Sequence, residues 1–312
     1  TGYQLLSAEA LAALIKPHRE SLGIPAAVPD SDLPRQLDQV LLRGWGDQVL
    51  TVTSIASAFA SRLAYLLATL KRGDAVNRAA RPEWDESYWA HWANIKTVIL
   101  GGGLASGILG GVAAQLTEET ILPSLDVHDL RIQTSTFGAR LPLYGVARHA
   151  PATCRRAYVL DFGNTSAKRG RALYTESELT SIEELSSLPT KPRQPADLFE
   201  FMVETLADPQ VEHDGVIRAC IAAYMDDDGH VQPGQLGLYG PLATVTTNLS
   251  ADLSAAVSAR LGRTVNVRVF HDGTSAGVVY AGVPHCAVLM MGTALGIGYP
   301  PATNDGLWRL KA

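Results

Sequence analysis

Several short apolar runs in this chain are each followed at once by a glycine-rich or acid-led polar turn. The four clearest runs are KTVIL (96–100), AYVL (157–160), VNVRVF (265–270) and AVLMM (287–291). A short apolar run bounded by turn residues is typical of a strand buried on both faces, as in the parallel sheets of α/β proteins. Segments with helical periodicity lie between the runs, so the sequence predicts a mixed α/β fold.

Length and composition exclude several other classes of protein. At about 150 residues per domain, 312 residues allow roughly two domains. The chain is 46% hydrophobic and 18% charged, and its 28 Gly and 17 Pro follow no period, which excludes a disordered or collagen-like chain. The formal net charge of −5 creates no global field toward nucleic acid or anionic lipid. We therefore expect neither nucleic acid nor membrane as a partner.

The cysteines and the apolar segments indicate a cytoplasmic protein. Cys154, Cys220 and Cys286 are widely spaced and form no CxxC or Cys/His ligand pattern, so we expect reduced, mostly buried thiols rather than disulfides or a zinc site. The first residues show no basic region followed by an apolar run, and six glycines break the apolar-looking stretch 98–115. Neither a signal peptide nor a membrane span is expected.

The remaining periodicity places the other elements. Ser7 is expected to cap the first of the helices, which are predicted over 8–15, 50–70, 104–116, 142–149, 198–206 and 253–261. Further strands are predicted over 130–134, 172–174 and 215–224, and the polar, proline-containing stretch 175–195 is predicted to be an excursion from the sheet.

The segment DFGNTSAK, Asp161–Lys168, joins two predicted strands. An acid at the end of a strand can hold Mg²⁺ through water, and a following glycine lets backbone amides approach a phosphate. The Thr and Ser hydroxyls and the Lys168 ammonium add donors for phosphate oxygens. An ordinary hairpin with Asp, Gly and Asn at its turn positions explains the same residues and stays open as the alternative.

The segment HDGTSAG follows the predicted strand 265–270. Asp272 would then lie at the carboxyl end of a strand, where α/β folds place general bases and metal ligands. The alternative for Asp272 is a helix-capping aspartate, and a structural histidine is the simplest explanation of His271.

Two further turns are rich in glycine. Gly292 and Thr293 in GTALGIG could cradle phosphate oxygens, although a tight hairpin also requires glycine. Gly101–Gly103 are predicted to open a helix whose N-terminal amides would let a nucleotide approach closely. The same turn also resembles a dinucleotide fingerprint, but no acid ends the next strand to bind a ribose hydroxyl, which disfavours an NAD(P)-binding enzyme.

Together the four turns resemble the motifs of the actin, hexokinase and heat-shock-protein ATPase superfamily (ASKHA). DFGNTSAK looks like its first phosphate motif, HDGTSAG its catalytic-Asp segment, GTALGIG its second phosphate motif and VILGGGLASG its adenosine motif. Within the superfamily the chain most resembles the ROK (repressor, ORF, kinase) sugar kinases. IASAFASRLAYLLATL and LPLYGVARHA are similar to the C-terminal helices of that family, and LGLYGP…NL resembles its sugar-side loop.

The resemblance implies two ribonuclease-H-like lobes with a nucleotide cleft between them. It implies an ATP-dependent kinase that phosphorylates a hydroxyl of a small molecule, such as a sugar, with Asp272 as general base and Asp161 organising Mg²⁺ through water. The nucleotide-binding residues would be Asp161, Gly163, Asn164, Thr165, Lys168, Gly292, Thr293, Gly101, Gly102 and Gly103, and the substrate-binding residues would be His271, Asn248 and Gly240.

The order of the motifs departs from the family, because the adenosine-like turn at 101 precedes the phosphate-like turn at 161. If the chain is treated as a circle, the family order is restored. We therefore predict a circular permutation, in which 151–282 form one lobe and 1–150 with 283–312 form the other. The permutation requires Thr1 and Ala312 to lie near each other. An exchange of halves between two chains is the alternative, and a homodimer stays open.

Two other departures concern the substrate. His271 stands where the family has Asn, and the Glu-x-Gly-His and cysteine-rich zinc motifs of the family have no match in the sequence. The acceptor therefore stays unassigned. A non-catalytic, nucleotide-responsive binding or regulatory protein is the main alternative, although such a protein would have little use for both Asp272 and Lys168.

Overall fold

The computed structural model describes residues 1–44, 46–176, 178–191, 194–226, 228–235 and 237–311. The fold is mixed α/β with two mixed sheets, which confirms the predicted class. The chain divides into two compact units. Unit 1 consists of Thr1–Ala139 and Pro284–Ile297, and unit 2 consists of Arg140–Val283 and Gly298–Ala312.

The helices and strands follow the predicted order along the chain. The helices are α1 (Gly2–Leu6), α2 (Ala8–Ile15), α3 (Leu33–Arg43), α4 (Asp47–Arg72), α5 (Ala75–Ala79), α6 (Glu86–Asn94), α7 (Ile108–Leu116), α8 (Leu122–Ser124), α9 (Leu141–Ala147), α10 (Pro195–Leu206), α11 (Leu249–Leu261) and α12 (Asp272–Val278). The strands are β1 (Thr97–Gly101), β2 (Arg131–Thr134), β3 (Arg156–Phe162), β4 (Ser166–Tyr174), β5 (Glu178–Pro189), β6 (Val216–Ile221), β7 (Asn266–His271), β8 (Cys286–Met291), β9 (Leu295–Gly298) and β10 (Arg309–Leu310).

The long helix α4 supplies much of the core of unit 1 and packs against α1, α3, α6 and α7. Its buried residues recur at helical spacing: Val52, Ile55, Ala56, Phe59, Ala60, Leu63, Ala64, Leu67, Ala68 and Leu70. By length and composition alone, α4 is the one helix of the described residues that is long and apolar enough to cross a membrane. In the apolar 18-residue window of this helix, 39% is buried. A single such helix is weak evidence for a membrane span, and the cytoplasmic location stays a prediction.

The unit 1 sheet has the order β2-β1-β8-β9. Strand β1 is parallel to both β2 and β8, so the carboxyl ends of these three strands meet at one edge. Strand β9 lies beside β8 after a turn over 292–294. The glycine-rich turns after β1 and β8 therefore leave the same edge of the sheet.

The unit 2 sheet has the order β10-β5-β4-β3-β6-β7. Strands β3, β4 and β5 form an antiparallel meander, and β6 and β7 continue the sheet parallel to β3. One face of β3 packs with the apolar side chains of α10 and α11, and the other face packs with those of α9. The carboxyl ends of β3, β6 and β7 share one edge, here called the carboxyl edge of unit 2.

Three elements differ from the sequence-based prediction. The predicted excursion 175–195 is wrong, because β5 lies within it and pairs with β4. Most residues of β5 keep part of their surface exposed, so the strand lacks the apolar run that identified the others. Helix α7 begins at Ile108 rather than at 104, and α11 begins at Leu249, where the Asn248 side chain caps it.

The compact units also differ in extent from the predicted lobes. Helix α9 belongs to unit 2 because it packs on β3, and the end of the chain joins the same unit. The buried guanidinium of Arg148, just after α9, connects the last segment of the chain to this unit. Its Nε donates to the carbonyl oxygen of Trp308 at 2.7 Å. The predicted proximity of the two chain ends involves Ala312, which lies outside the described residues.

Candidate functional site

The register of the unit 2 sheet brings an acid and a thiol side by side at its carboxyl edge. Asp161 of β3 pairs with Cys220 of β6, which in turn pairs with Phe270 of β7. Register partners on adjacent strands project to the same face of a sheet. Strand β7 ends at His271, and Asp272 follows as the first residue of α12. The two acids that the sequence singled out therefore belong to the same edge.

Asp161 is buried and forms an ion pair with Lys168. The hairpin register places Lys168 opposite Asp161, and the Lys168 Nζ lies 2.7 Å from Asp161 Oδ2. The other carboxylate oxygen, Oδ1, lies 3.7 Å from the Sγ of Cys220. Only 5% of the Asp161 side chain is exposed, against 33% of the Lys168 side chain. Since an ammonium has three donors, Lys168 can hold Asp161 and still donate to a further anion.

Asp272 starts helix α12 with its carboxylate turned toward its own backbone. The N–H of Gly273 donates to Asp272 Oδ1 at 2.7 Å. The side chain keeps 24% of its surface exposed. The alternative drawn from the sequence, that Asp272 caps the helix, is wrong, because the capping residue is His271.

His271 caps α12 through its ring. The N–H of Thr274 donates to His271 Nδ1 at 3.2 Å, and the His271 Nε2 lies 3.2 Å from Asp272 Oδ1. The ring stacks on Tyr224 with a centroid separation of 4.6 Å. Burial lowers the pKa of His271 to about 4, which keeps the ring neutral at physiological pH.

The four titratable groups at this edge influence one another. Burial, and then the charge of Asp161, raise the pKa of Asp272 to about 7. Burial and the same charge raise the pKa of the Cys220 thiol, which stays protonated. Burial acts to lower the pKa of Lys168, but the charge and hydrogen bond of Asp161 outweigh it, so that pKa is raised. The edge thus combines the Asp161–Lys168 ion pair with a carboxyl group that titrates near neutrality.

The hairpin between β3 and β4 positions the predicted phosphate residues. The N–H of Gly163 lies 3.1 Å from the carbonyl oxygen of Ser166, and the Tyr239 hydroxyl donates to the Gly163 carbonyl at 3.2 Å. Asn164 is half-buried and Thr165 is exposed. The hydrogen bond from Tyr239 was not predicted, because it joins residues that lie far apart in the sequence.

Two predicted substrate residues have identifiable structural roles. Asn248 Oδ1 accepts from the N–H of Ala251 at 2.9 Å, and its Nδ2 donates to the carbonyl of Asp228 at 2.7 Å, so both ends of the amide are engaged. Gly240 is buried at the start of the short helix Gly240–Thr244. Neither residue needs a ligand to explain its position.

The predicted nucleotide turns of unit 1 lie close to one another. Gly102 has a φ of 87°, and a Cβ there would lie 2.3 Å from the carbonyl oxygen of Met291, so only glycine suits the position. Gly101 ends β1, and Gly103 is exposed. The Gly292 carbonyl accepts from the N–H of Ala8 at 2.7 Å, and Thr293 is exposed. The structure thus groups Gly101–Gly103 with Gly292 and Thr293 within this unit.

The helix after Gly101–Gly103 does not present a free N-terminus as predicted. Helix α7 starts later than expected, and the Asp38 carboxylate of α3 occupies its first turn, accepting from the N–H of Leu109 at 2.9 Å. Gly107 makes room for this carboxylate, because a Cβ there would overlap Asp38. A protein carboxylate thus takes the place expected for a ligand phosphate, which also weakens the NAD(P) alternative.

The carboxyl edge of unit 2 suits Mg²⁺ held mainly by water and phosphate oxygens. Among the described residues no group of three or more His, Cys, Asp or Glu side chains converges on a metal position. Mg²⁺ commonly binds through one or two carboxylates together with water and substrate phosphates. One lysine facing two carboxylates leaves a negative charge uncompensated when both acids are ionised, so an added cation is electrostatically favoured there.

The three cysteines of the chain are free and buried, as predicted. Cys220 was predicted only as a buried thiol, and the register of β6 could not be derived from its sequence, so its contact with Asp161 was missed. No protein-family model and no curated protein matches the chain. The functional argument therefore depends on the residues described above and on the motif resemblance.

Proposed function

We propose that the protein is an ATP-dependent phosphotransferase that acts on a hydroxyl of a small molecule, with Asp272 as general base. The observation that carries the proposal is the composition of the carboxyl edge of unit 2. There the Asp161–Lys168 pair accompanies Asp272, whose pKa of about 7 suits proton transfer near neutral pH.

The roles of the residues follow from their charges. Asp272 would orient the acceptor hydroxyl and take its proton as the oxygen attacks the phosphoryl group. Lys168 would donate to a phosphate oxygen while it holds Asp161, and Asp161 would bind the waters of Mg²⁺. ATP supplies the phosphoryl group, and Mg²⁺ neutralises charge on its phosphates. Positioning and charge neutralisation supply most of the catalysis in phosphoryl transfer.

The topology of unit 2 supports the ribonuclease-H-like part of the proposal. An antiparallel meander followed by two strands parallel to its first strand gives the order β5-β4-β3-β6-β7. This is the strand order of a ribonuclease-H-like lobe. The roles of Gly101–Gly103, Gly292 and Thr293 toward the nucleotide derive from the motif resemblance.

The test is a phosphotransfer assay with ATP and Mg²⁺ against a panel of sugars and polyols, with ³¹P NMR detection of the phosphate ester. Asp272→Asn is expected to lower kcat by about 10²- to 10⁴-fold and to leave ATP affinity within about twofold. Asp197→Asn, which alters an exposed acid in the first turn of α10, is the matched control and should keep full activity.

Two results would count against the proposal. Transfer by Asp272→Asn within about tenfold of the unsubstituted protein would exclude the general-base role. ATP binding without transfer to any acceptor, and without hydrolysis, would instead indicate the nucleotide-responsive regulatory protein.

A further inference from the structure

Three arginines of unit 2 have no acidic partner. Arg148 follows α9, Arg218 lies in β6 and Arg268 lies in β7. Arg148 and Arg218 are almost fully buried, with 3% and 2% of their surface exposed. In the part of the chain that the structure describes, no Asp or Glu forms an ion pair with any of the three. Since buried arginines are normally paired with an anion, the group calls for a partner.

Arg148 is accounted for by neutral oxygens of the protein. Its Nε donates to the carbonyl oxygen of Trp308 at 2.7 Å. Its Nη1 donates to the carbonyl oxygen of Val278, and its Nη2 donates to Asn304 Oδ1. Because all three nitrogens are engaged, we assign this guanidinium to the packing of the unit rather than to a ligand.

Arg218 is satisfied only in part. Its Nε donates to the carbonyl oxygen of His149 at 3.0 Å, and its Nη1 donates to Asn266 Oδ1 at 2.9 Å. Within the described residues its Nη2 has no hydrogen-bond partner, which leaves two N–H donors unused. Burial, and then the charge of Arg268, lower the pKa of Arg218 to about 10, so the guanidinium is still charged at neutral pH.

Arg268 lies beside Arg218 on the same face of the sheet. The two residues are register partners on the parallel strands β6 and β7, and such partners project to the same face. The Cζ of Arg268 lies 5.2 Å from the ring centroid of Phe270, and among the described residues the guanidinium makes no hydrogen bond or ion pair. Arg268 is exposed and β7 is the last strand of the sheet, so this side chain borders solvent.

His149 responds to the same charges. Its ring stacks on Phe270 with a centroid separation of 4.3 Å, and in the described structure its Nε2 is buried without a hydrogen-bond partner. Burial, and then the charges of Arg268, Arg218 and Arg148, lower the pKa of His149 to about 4. The positive charges therefore act together on one ring, which can report whether an anion joins them.

We propose that Arg218 and Arg268 form an anion site that takes a phosphate group at the β7 edge of unit 2. A phosphate dianion balances two charges that the protein leaves uncompensated. Its oxygens match the forked N–H groups of a guanidinium, which can bind them through parallel hydrogen bonds. The donors are the unused Nη2 of Arg218 and the exposed guanidinium of Arg268. Inorganic phosphate and a phosphate monoester share this chemistry.

The proposed anion site is separate from the carboxyl edge of unit 2. Arg218 and Arg268 precede Cys220 and Phe270, the register partners at that edge, by two residues each. Two residues of a strand span about 7 Å. The anion site shares no residue with the proposed phosphotransfer machinery, so the inference stands or falls independently of the proposed function.

The test follows the ring resonances of the histidines by NMR at about pH 7.5 and constant ionic strength. Inorganic phosphate and glycerol 3-phosphate are added in separate titrations, and the loss of a resonance in His149→Gln assigns that ring. A saturable shift of the His149 resonance is expected with at least one of the two, and the tighter one identifies the source of the phosphate group. Acetate, a monoanion, should bind at least about tenfold more weakly. Equal binding of acetate would overturn the proposal.

Substitutions at the exposed arginine test the site without disturbing the buried one. Arg268→Gln should weaken phosphate binding by about ten- to a hundredfold, and Arg268→Lys should weaken it less because the charge is kept. Arg260→Gln, which removes an exposed arginine paired with Glu200, is the matched control and should bind within about twofold of the unsubstituted protein. Circular dichroism checks that each variant is folded.

Three results would overturn the proposal. Equal affinity in Arg268→Gln and in the unsubstituted protein would remove Arg268 from the site. A shift of the His149 resonance that grows with phosphate concentration without saturating would indicate an adventitious ion only. A saturable shift confined to the His271 resonance would place the phosphate at the carboxyl edge instead.

Discussion

Acidification should unfold unit 2 well above the pH at which ordinary carboxylates titrate, because two of its histidines are buried in the neutral form. Arg263 Nη2 donates to His213 Nε2 at 2.8 Å, and burial together with the Arg263 charge lowers the pKa of His213 to about 4. His149 stacks on Phe270 at 4.3 Å, and burial followed by neighbouring arginine charges lowers its pKa to about 4. Within the described structure one ring nitrogen of each histidine is buried without a hydrogen-bond partner.

The sign and size of the effect follow from proton linkage. The ordinary histidine pKa is 6.5, so between pH 6.5 and about 4 the unfolded chain binds protons that the folded protein rejects. The free energy of unfolding therefore falls as the pH falls through this window. Each histidine contributes about 3 kcal/mol over the window, and the two together have a slope of about 2.7 kcal/mol per pH unit in its middle.

The pair at the candidate site contributes little to this slope. Folding lowers the pKa of His271 to about 4 and raises that of Asp272 from 3.8 to about 7. Over the shared window one group releases a proton on folding and the other takes one up. The two linkage terms therefore oppose each other, and His149 and His213 dominate the pH dependence.

The assay is urea unfolding followed by circular dichroism at about pH 7, 6 and 5. His213→Gln should reduce the slope of unfolding free energy against pH by about 1.4 kcal/mol per unit, the share of one proton. His128→Gln changes a histidine whose side chain is 66% exposed, and it should leave the slope as it is. Equal free energies at about pH 7 and 5 in the unsubstituted protein would refute the linkage argument.

Three further predictions concern single substitutions that change a close contact, a helix cap or a neighbouring charge. Gly102→Ala should destabilise unit 1 by about 2 kcal/mol or more in urea unfolding, because the added Cβ would overlap a backbone oxygen of β8. The control is Gly103→Ala, whose added Cβ meets nothing within 4 Å and should have little effect. Asp38→Ala should cost about 1–2 kcal/mol by removing the cap of α7, and Asp38→Asn should cost less since it keeps an acceptor. Arg268→Gln should raise the pKa of His149 in an NMR titration because it removes a neighbouring positive charge; an unchanged pKa would contradict this.

The sequence located the acids of the candidate site because their positions depend on local pattern. Asp161 and Asp272 each follow an apolar run, and strands that run parallel share a carboxyl edge. What the sequence could not provide is register. The pairing of Lys168 with Asp161, and of Cys220 with Asp161, depends on which residues of neighbouring strands lie opposite each other.

Contacts between distant segments were also beyond local pattern. Asp38 caps a helix whose first turn lies 71 residues further along the chain, and that helix begins at Ile108 rather than directly after the glycine turn. Strand β5 was missed for a different reason. It lies toward the edge of its sheet with many of its residues exposed, so neither an apolar run nor a clean alternation identified it.

The two sheets share a connectivity that bears on the predicted permutation. Unit 2 contains β4-β3-β6-β7 and unit 1 contains β9-β8-β1-β2, in each case a turn-connected strand pair followed by two parallel strands. In unit 2 the turn-connected pair comes first in the chain, and in unit 1 it comes last. Joining the chain ends and cutting elsewhere would remove that difference, as a circular permutation requires.

This correspondence also separates the roles of the units in the proposed reaction. The position of Asp161, next to last in its strand, corresponds to Met290 in β8, and the position of Asp272 after β7 corresponds to Ser135 after β2. The topology is thus repeated but the acids are not. Unit 1 keeps the turn with Gly292 and Thr293, which the motif resemblance assigns to phosphate, and has no acid at these two matching positions. On the proposed mechanism proton transfer belongs to unit 2, so substitutions at Ser135 should affect kcat far less than substitutions at Asp272.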